Sequence, residues 1–132
     1  KDNWTMIARL LTPHFRVIVP DLPGFGDASR LPAASYGIDA QLARLHAFLD
    51  TLGLDKVHLG GNSMGGYLAT LFAARHPERV MSLWLLAPAG AFEGEASETF
   101  ELVQGGDNPL IVEDAAGLAR LTALCFCKPP WF

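Results

Sequence analysis

The stretch Gly60-Gly61-Asn62-Ser63-Met64-Gly65-Gly66 decides how this chain is interpreted. It contains the pattern Gly-x-Ser-x-Gly over residues 61–65, which is the spacing of a nucleophile elbow. A serine can attack a carbonyl group only if its Oγ is held clear of the backbone. A sharp turn from strand to helix achieves this when the neighbouring residues lack bulky side chains. Ser63 is therefore predicted to be a catalytic nucleophile.

The sequence on either side of this stretch has the periodicities that such a turn requires. Residues 56–60 predict a short buried strand, and residues 67–72 have apolar side chains at helical spacing before Pro77 ends the helix. The Met64 N–H then lies at the helix start, where unpaired N–H groups and the helix dipole favour negative charge. We predict that it stabilises an oxyanion. The competing interpretation makes Ser63 an ordinary helix cap.

The composition excludes several classes of protein. The chain has 132 residues, half of them apolar, and a net charge of −4, which suits one globular domain with a core. Its ten Lys and Arg are thinly spread, so no nucleic-acid partner is expected. No apolar run is long enough to span a bilayer and no signal peptide opens the chain, so the default prediction is a cytoplasmic protein. The sequence does not indicate an oligomeric state.

No metal or cofactor site is expected. Cys125 and Cys127 are separated by one residue and lack further ligands for zinc, so we interpret them as small buried side chains. The glycines near residues 24–26 do not complete a dinucleotide motif, and residues 60–66 lack the lysine of a phosphate-binding loop.

Helix and strand patterns alternate along the first 90 residues. The predicted elements are a helix over 4–11, a strand over 15–20 buried on both faces, a helix over 42–52 capped by Gly53, and a strand over 80–86. This alternation predicts an α/β fold with a partial parallel sheet flanked by helices. Residues 1–90 are predicted to form the core that contains the elbow.

The pattern changes after Gly90. Residues 91–110 are acidic and interrupted by glycines, and residues 112–125 predict a helix. No further strand pattern appears. We interpret residues 91–132 as the beginning of a helical cap, or lid, inserted into the fold.

A serine nucleophile needs a histidine base and an orienting carboxylate, and this chain offers no histidine in the expected position. In α/β-hydrolases the order along the chain is Ser, acid, His, yet no histidine follows His76. His76 lies about 20 Å from Ser63 along the predicted helix. Each of the four histidines is therefore predicted to be structural.

Several stretches together resemble the α/β-hydrolase superfamily. They are residues 2–4, 19–27, 60–67 and 76–80, while residues 82–90 and 128–131 are similar to the bacterial lipase and monoacylglycerol lipase-like branch. The resemblance implies a small-molecule ester as substrate, an acyl-enzyme on Ser63, and Asn62 as a candidate substrate-binding residue. It also implies an Asp and a His beyond residue 132 and an oxyanion loop before Lys1, so that the chain is interpreted as an internal fragment.

Two other functions stay open at this point. Residues 61–66 are also similar to hydrolases that cleave carbon–carbon bonds in ring-cleavage products, and a chain without a base could be a catalytically incomplete binding module. The resemblance further implies that the strand over 15–20 is separated from the elbow strand by a strand that precedes Lys1. We therefore expect the isolated chain to be poorly stable and to have no appreciable esterase activity.

Overall fold

The computed structural model describes residues 1–90 and 98–126. The chain divides into two units, Lys1–Ala91 and Phe92–Phe132. The first unit contains, in chain order, helix α1 (Thr5–Leu11), helix α2 (Ile38–Thr51), strand β1 (Val57–Asn62), helix α3 (Met64–Arg75) and strand β2 (Val80–Leu86). Short 3₁₀ turns cover Asp2–Trp4, Ala33–Ser35 and Pro77–Arg79.

The two strands are parallel neighbours, and α3 connects them. Val57 lies opposite Val80 at one end of the pair, and Asn62 lies opposite Leu86 at the other. The carboxyl ends of both strands therefore meet at the same edge, and β1 leads directly through Ser63 into α3. Ligands bind at this edge in open α/β sheets.

The core lies between α2 and α3. The buried side chains of Leu42 and Leu49 in α2 meet the fully buried Leu68 and Phe72 of α3, and Phe72 is 0% exposed. Half-buried apolar residues of both strands pack against this cluster. Burial of one helix face against the other is the main source of stability for such short elements. The α/β class predicted from the alternating patterns is confirmed.

Helix α2 ends as its sequence predicts. Gly53 adopts a φ of +65°, a left-handed conformation that glycine accepts without steric cost. Its N–H donates to Asp50 O at 2.9 Å, and the Leu54 N–H donates to Leu49 O at 2.9 Å. These two bonds form the glycine cap that satisfies the last carbonyl groups of the helix.

The strand predicted over residues 15–20 does not form. This segment has no regular secondary structure, and Ile18 is exposed while Val17 and Val19 are only half-buried. A parallel strand needs a hydrogen-bonded neighbour, and none of the described residues pairs with this segment. The prediction of a strand buried on both faces is therefore wrong for this structure.

The second unit contains two helices, α4 (Glu98–Gln104) and α5 (Ala115–Cys125). The Asp114 side chain caps α5 by accepting the Gly117 N–H at 2.7 Å, and Arg120 binds Asp107 through two hydrogen bonds of 3.0 and 2.6 Å. The helix predicted over 112–125 is present, although it begins at Ala115.

Two features of this unit differ from the expectations. Helix α4 is not among the predicted elements, because residues 91–110 are acidic and interrupted by glycines; Gly105 and Gly106 follow the helix end. Cys125 is exposed rather than buried, because it occupies the last residue of α5. Cys127 lies outside the described residues. None of the helices within residues 1–90 and 98–126 has the length and apolar content needed to cross a membrane.

Candidate active site

Ser63 occupies the turn between β1 and α3 in a strained conformation. Its φ is +49° and its ψ is −119°, which few residues other than glycine adopt. The side chain is exposed, and it makes no capping hydrogen bond to the helix. The interpretation of Ser63 as a simple helix cap is therefore wrong. The serine sits on a sharp strand-to-helix turn with its hydroxyl accessible, the geometry that defines a nucleophile elbow.

The glycines around the serine differ in how strictly they are required. A Cβ on Gly61 would lie 2.3 Å from the carbonyl carbon and oxygen of Gly65, and one on Gly66 would lie 2.9 Å from the Pro88 side chain. A Cβ on Gly65 would meet nothing within 4 Å. The turn is thus closed by backbone packing at Gly61 and Gly66, while Gly65 supplies the backbone that Gly61 contacts.

The carboxyl end of β2 holds the turn in place. The Ser63 N–H donates to Leu86 O at 3.0 Å, and the Asn62 side-chain amide donates to the same oxygen at 3.1 Å. The Ala89 N–H donates in return to Ser63 O at 3.0 Å. Ala87, between these contacts, is the second non-glycine residue with positive φ in the described part of the chain, at +39°. Residues 86–89 therefore clamp the elbow from the neighbouring strand.

The first turn of α3 leaves a donor beside the serine. The Tyr67 N–H is paired with Ser63 O at 3.0 Å. The Met64 N–H, one residue after the serine, donates to no acceptor among residues 1–90 and 98–126. The structure thus places both sequence-predicted groups at one turn: a serine hydroxyl and an unpaired backbone N–H. Such a donor at a helix start is suited to an oxyanion.

An open cavity of about 530 Å³ adjoins this turn. Its walls come from the loop between α1 and α2, from α2 itself and from the residue after the serine: Pro23, Gly24, Phe25, Arg30, Leu31, Tyr36, Gln41 and Met64. Most of these side chains are apolar. The volume lies within the range of small-molecule sites.

The cavity wall is held by hydrogen bonds within the loop. The Tyr36 hydroxyl accepts the Leu31 N–H at 2.6 Å, and the Gly24 N–H donates to Ser29 O at 3.2 Å. A Cβ on Gly24, whose φ is +92°, would lie 2.8 Å from the Tyr36 ring. Glycine is therefore required where the loop approaches the tyrosine.

Three of the histidines make contacts elsewhere in the fold. His76 follows the far end of α3 and packs on His46 with a ring distance of 4.7 Å, and His58 Nδ1 lies 2.8 Å from Ser82 Oγ. No hydrogen-bond partner of Ser63 Oγ occurs within the described residues. That the base lies outside this chain stays a prediction.

The far end of α3 has a dense polar cluster around Arg79, which is 13% exposed. Arg79 donates to Asp55 O at 2.6 Å and to Leu54 O at 2.9 Å, contacts His46 Nε2 at 3.1 Å, and pairs with the Asp50 carboxylate at 2.8 Å. The Arg79 hydrogen bond holds the pKa of Asp50 below its ordinary value. Its many internal contacts indicate a structural role.

Sequence reasoning missed two parts of the site. The clamp of residues 86–89 was not recognised, because backbone contacts to a neighbouring strand leave no side-chain signature. Gln41 was missed although a signal existed: it lies among the apolar positions of α2, next to Leu42, and is 4% exposed. Within residues 1–90 and 98–126, no group of His, Cys, Asp or Glu side chains has the arrangement of a metal site.

Comparisons with known proteins agree with this geometry. The sequence profile of the alpha/beta hydrolase fold family matches residues 1–118. The chain is 39% identical over 132 residues to Lipase 1 of Psychrobacter immobilis, covering 99% of this chain and 41% of the lipase. It is 35% identical over 134 residues to monoacylglycerol lipase abhd6-B of Xenopus laevis, covering 95% of this chain and 40% of that protein.

A third relative has a different activity in its name. The 2-hydroxy-6-oxo-2,4-heptadienoate hydrolase of Pseudomonas putida is 42% identical over 105 residues, covering 80% of this chain and 36% of the relative. Among solved structures, a membrane phospholipase A described as a bacterial virulence factor superposes with a TM-score of 0.82 at 46% identity, covering 93% of this chain and 40% of that one. The chain spans about two fifths of the length of these relatives. Its sequence, its elbow and its fold show that it belongs to the alpha/beta hydrolase fold family.

Proposed function

We propose that this chain carries the nucleophile of a serine hydrolase that acts on carboxylic esters. The observation that supports this most directly is the conformation of Ser63: exposed, free of capping bonds and held at a φ of +49° between β1 and α3. Strained backbone that the surrounding structure maintains is concentrated at functional sites. The glycine contacts and the residue 86–89 clamp maintain it here.

In the proposed reaction Ser63 Oγ attacks the acyl carbon of the ester. Its proton passes to a histidine base and then to the departing alcohol, which leaves an acyl-enzyme that water hydrolyses. The Met64 N–H stabilises the negative oxygen of the tetrahedral intermediate. Asn62, whose Nδ2 is engaged with Leu86 O, keeps its Oδ1 as an acceptor for substrate.

We assign the remaining catalytic groups to other parts of the full protein. The base and its acid are assigned to sequence after Phe132, and the second oxyanion donor to a loop before Lys1. Residues 91–132 are proposed to begin a helical cap, in keeping with the helical content of α4 and α5. Without its base, the 132-residue chain is expected to be inactive on esters.

The proposed substrates are monoacylglycerols or similar neutral lipid esters. The lipase and monoacylglycerol lipase relatives support this class, and so does the mainly apolar cavity beside Met64. Apolar walls favour an acyl chain or the carbon skeleton of an alcohol.

The test is active-site labelling of the protein expressed from its complete reading frame. A fluorophosphonate probe should modify Ser63, as located by mass spectrometry, and Ser63→Ala should lose both the label and at least about 10⁴-fold in ester hydrolysis. A properly folded protein whose Ser63 does not react would contradict the proposal and favour an inactive binding module. Efficient hydrolysis of a short p-nitrophenyl ester by the 132-residue chain, lost in Ser63→Ala, would contradict the assignment of the base.

Carbon–carbon bond hydrolysis is the second candidate, because the Pseudomonas putida relative has that activity in its name. Parallel assays of the complete protein with a monoacylglycerol and with a dienoate ketone separate the two. Faster turnover of the ketone would replace the ester proposal while leaving Ser63 as the reactive residue.

A further inference from the structure

One residue that lines the cavity beside the elbow has a buried polar atom without a partner in the described part of the chain. Gln41 lines this cavity and is 4% exposed, and its Oε1 is fully buried without a hydrogen-bond partner among the described residues. A buried amide oxygen without a hydrogen-bond partner is unfavourable, so such an atom in a native structure calls for a specific explanation.

The position of Gln41 makes packing alone a poor explanation. It lies on the apolar side of α2, adjacent in sequence to the core residue Leu42, where an aliphatic side chain of similar size would bury the same area without a polar penalty. The same cavity is lined by Met64, whose N–H we assign to the oxyanion. Gln41 and the residue after Ser63 therefore line one cavity.

The surroundings restrict what can satisfy this amide. Phe25, Leu31 and Met64 contribute apolar wall, while Arg30, the charged residue of the lining, is itself exposed. A neutral amide beside an apolar cavity favours a neutral partner such as an alcohol hydroxyl, which both donates and accepts hydrogen bonds. An ester whose alcohol portion keeps free hydroxyl groups presents such partners next to its scissile bond.

We propose that Gln41 determines specificity through a hydrogen bond between its side-chain amide and a free hydroxyl on the alcohol portion of the ester, so that the cavity takes a polyol head such as a glyceryl group. This inference rests on the proposed function of Ser63. The loop that shares this cavity is held in place by the hydrogen bond from the Leu31 N–H to the Tyr36 hydroxyl. Because such a loop needs little rearrangement on binding, the loss of one hydrogen bond to substrate is expected to change the ratio of kcat/KM between two esters.

The test compares two esters of one acid on the protein expressed from its complete reading frame. Monooctanoylglycerol and propyl octanoate share the acyl chain and a three-carbon alcohol, but only the first has free hydroxyls. Below their micelle concentrations, wild type should prefer the glyceryl ester in kcat/KM by about tenfold, as expected for one buried neutral hydrogen bond. Gln41→Met, which keeps the volume and removes the amide, should lower that ratio by about tenfold.

Leu42→Met is the matched control, since it changes a side chain of the same helix and burial that does not line the cavity. Its ratio should stay within about twofold of wild type. An equal loss on both esters in Gln41→Met would show a merely structural role and overturn the inference. Should that variant fail to fold, equal kcat/KM of wild type for the two esters overturns it without any substitution.

Labelling of Ser63 distinguishes failure of the proposed function from failure of the inference on Gln41. If the fluorophosphonate probe does not modify Ser63 in wild type, the proposed function fails and takes this inference with it. If Ser63 is labelled and esters are hydrolysed without preference for the glyceryl group, the inference alone fails.

Discussion

The two ends of α3 satisfy their polar groups in opposite ways. At the beginning, Ser63 is strained and exposed, and the Met64 N–H has no acceptor in the described part of the chain. At the other end, Arg79 makes four polar contacts with the α2 helix and the turn after it, and the residue is largely buried. Helix α3 thus connects a turn that has an unpaired hydrogen-bond donor to a polar cluster whose arginine is hydrogen-bonded within the protein.

This difference separates stability from reactivity within one element. A group that is already satisfied stabilises the fold but has little left to offer a substrate, whereas an unpaired donor beside an accessible hydroxyl can bind developing charge. Local strain persists only where surrounding contacts maintain it. We therefore expect changes at the two ends to affect different measurements, all made on the protein expressed from its complete reading frame.

The largest effect on stability is expected at Gly61. Gly61→Ala should lower the free energy of unfolding by about 2–3 kcal/mol, because the new Cβ would overlap the Gly65 backbone at 2.3 Å. The matched change Gly65→Ala meets nothing within 4 Å and should be neutral or stabilising by up to about 1 kcal/mol. Urea unfolding of both variants checks this. Equal destabilisation by the two would refute the unequal roles of the glycines.

Substitution of Arg79 tests the role of the polar cluster at the far end of α3. Arg79→Met should lower the free energy of unfolding by about 2 kcal/mol, because the carbonyl groups of Leu54 and Asp55 lose their donor. Ser63 labelling per folded molecule should stay unchanged. As a control, Arg75→Met removes an arginine whose pair with Asp39 is exposed, and should cost about 0.5 kcal/mol or less. A large loss of labelling without loss of stability in Arg79→Met would contradict this division of roles.

Substitution of the serine itself measures the strain at the elbow. Both Ser63→Ala and Ser63→Gly remove the hydroxyl, but only glycine adopts a φ of +49° and a ψ of −119° without strain. After allowance for the greater freedom of glycine in the unfolded chain, Ser63→Gly should be about 1 kcal/mol more stable than Ser63→Ala. Thermal unfolding of the pair decides the point. If the alanine variant is as stable as the glycine variant, the turn is not strained.

The smallest expected effect is a pH dependence of stability in the polar cluster around Arg79. Because Arg79 lowers the pKa of Asp50, ionised Asp50 stabilises the fold above the ordinary aspartate value of about 3.9, and this contribution disappears as the pH falls through the lower pKa of the folded state. The stability difference between wild type and Asp50→Asn should therefore shrink as the pH is lowered from 5 to 3. Urea midpoints measured across that range test the sign, and a constant difference would contradict it.

Local patterns predicted the elements and the turn that joins them. The apolar spacing of α2 and α3, the glycine cap at Gly53 and the Gly-x-Ser-x-Gly spacing each act over a few residues, so they can be interpreted without knowing the rest of the fold. Residues 15–20 show the limit of this approach. Their apolar run is typical of a strand, but a strand forms only with a hydrogen-bonded neighbour, and sequence pattern does not reveal whether one is present.

The sequence by itself determined that a serine would stand between a strand and a helix, because the Gly61-x-Ser63-x-Gly65 spacing between a strand pattern and a helix pattern is typical of so sharp a turn. The tertiary structure alone decided what holds that turn and what it faces. The Leu86 carbonyl accepts two donors from residues 62 and 63, and the buried Gln41 Oε1 has no partner among the described residues, although Gln41 lines the same cavity as Met64. Both depend on segments brought together from distant positions in the chain, and the free energy of a hydrogen bond depends on where its partner lies in space.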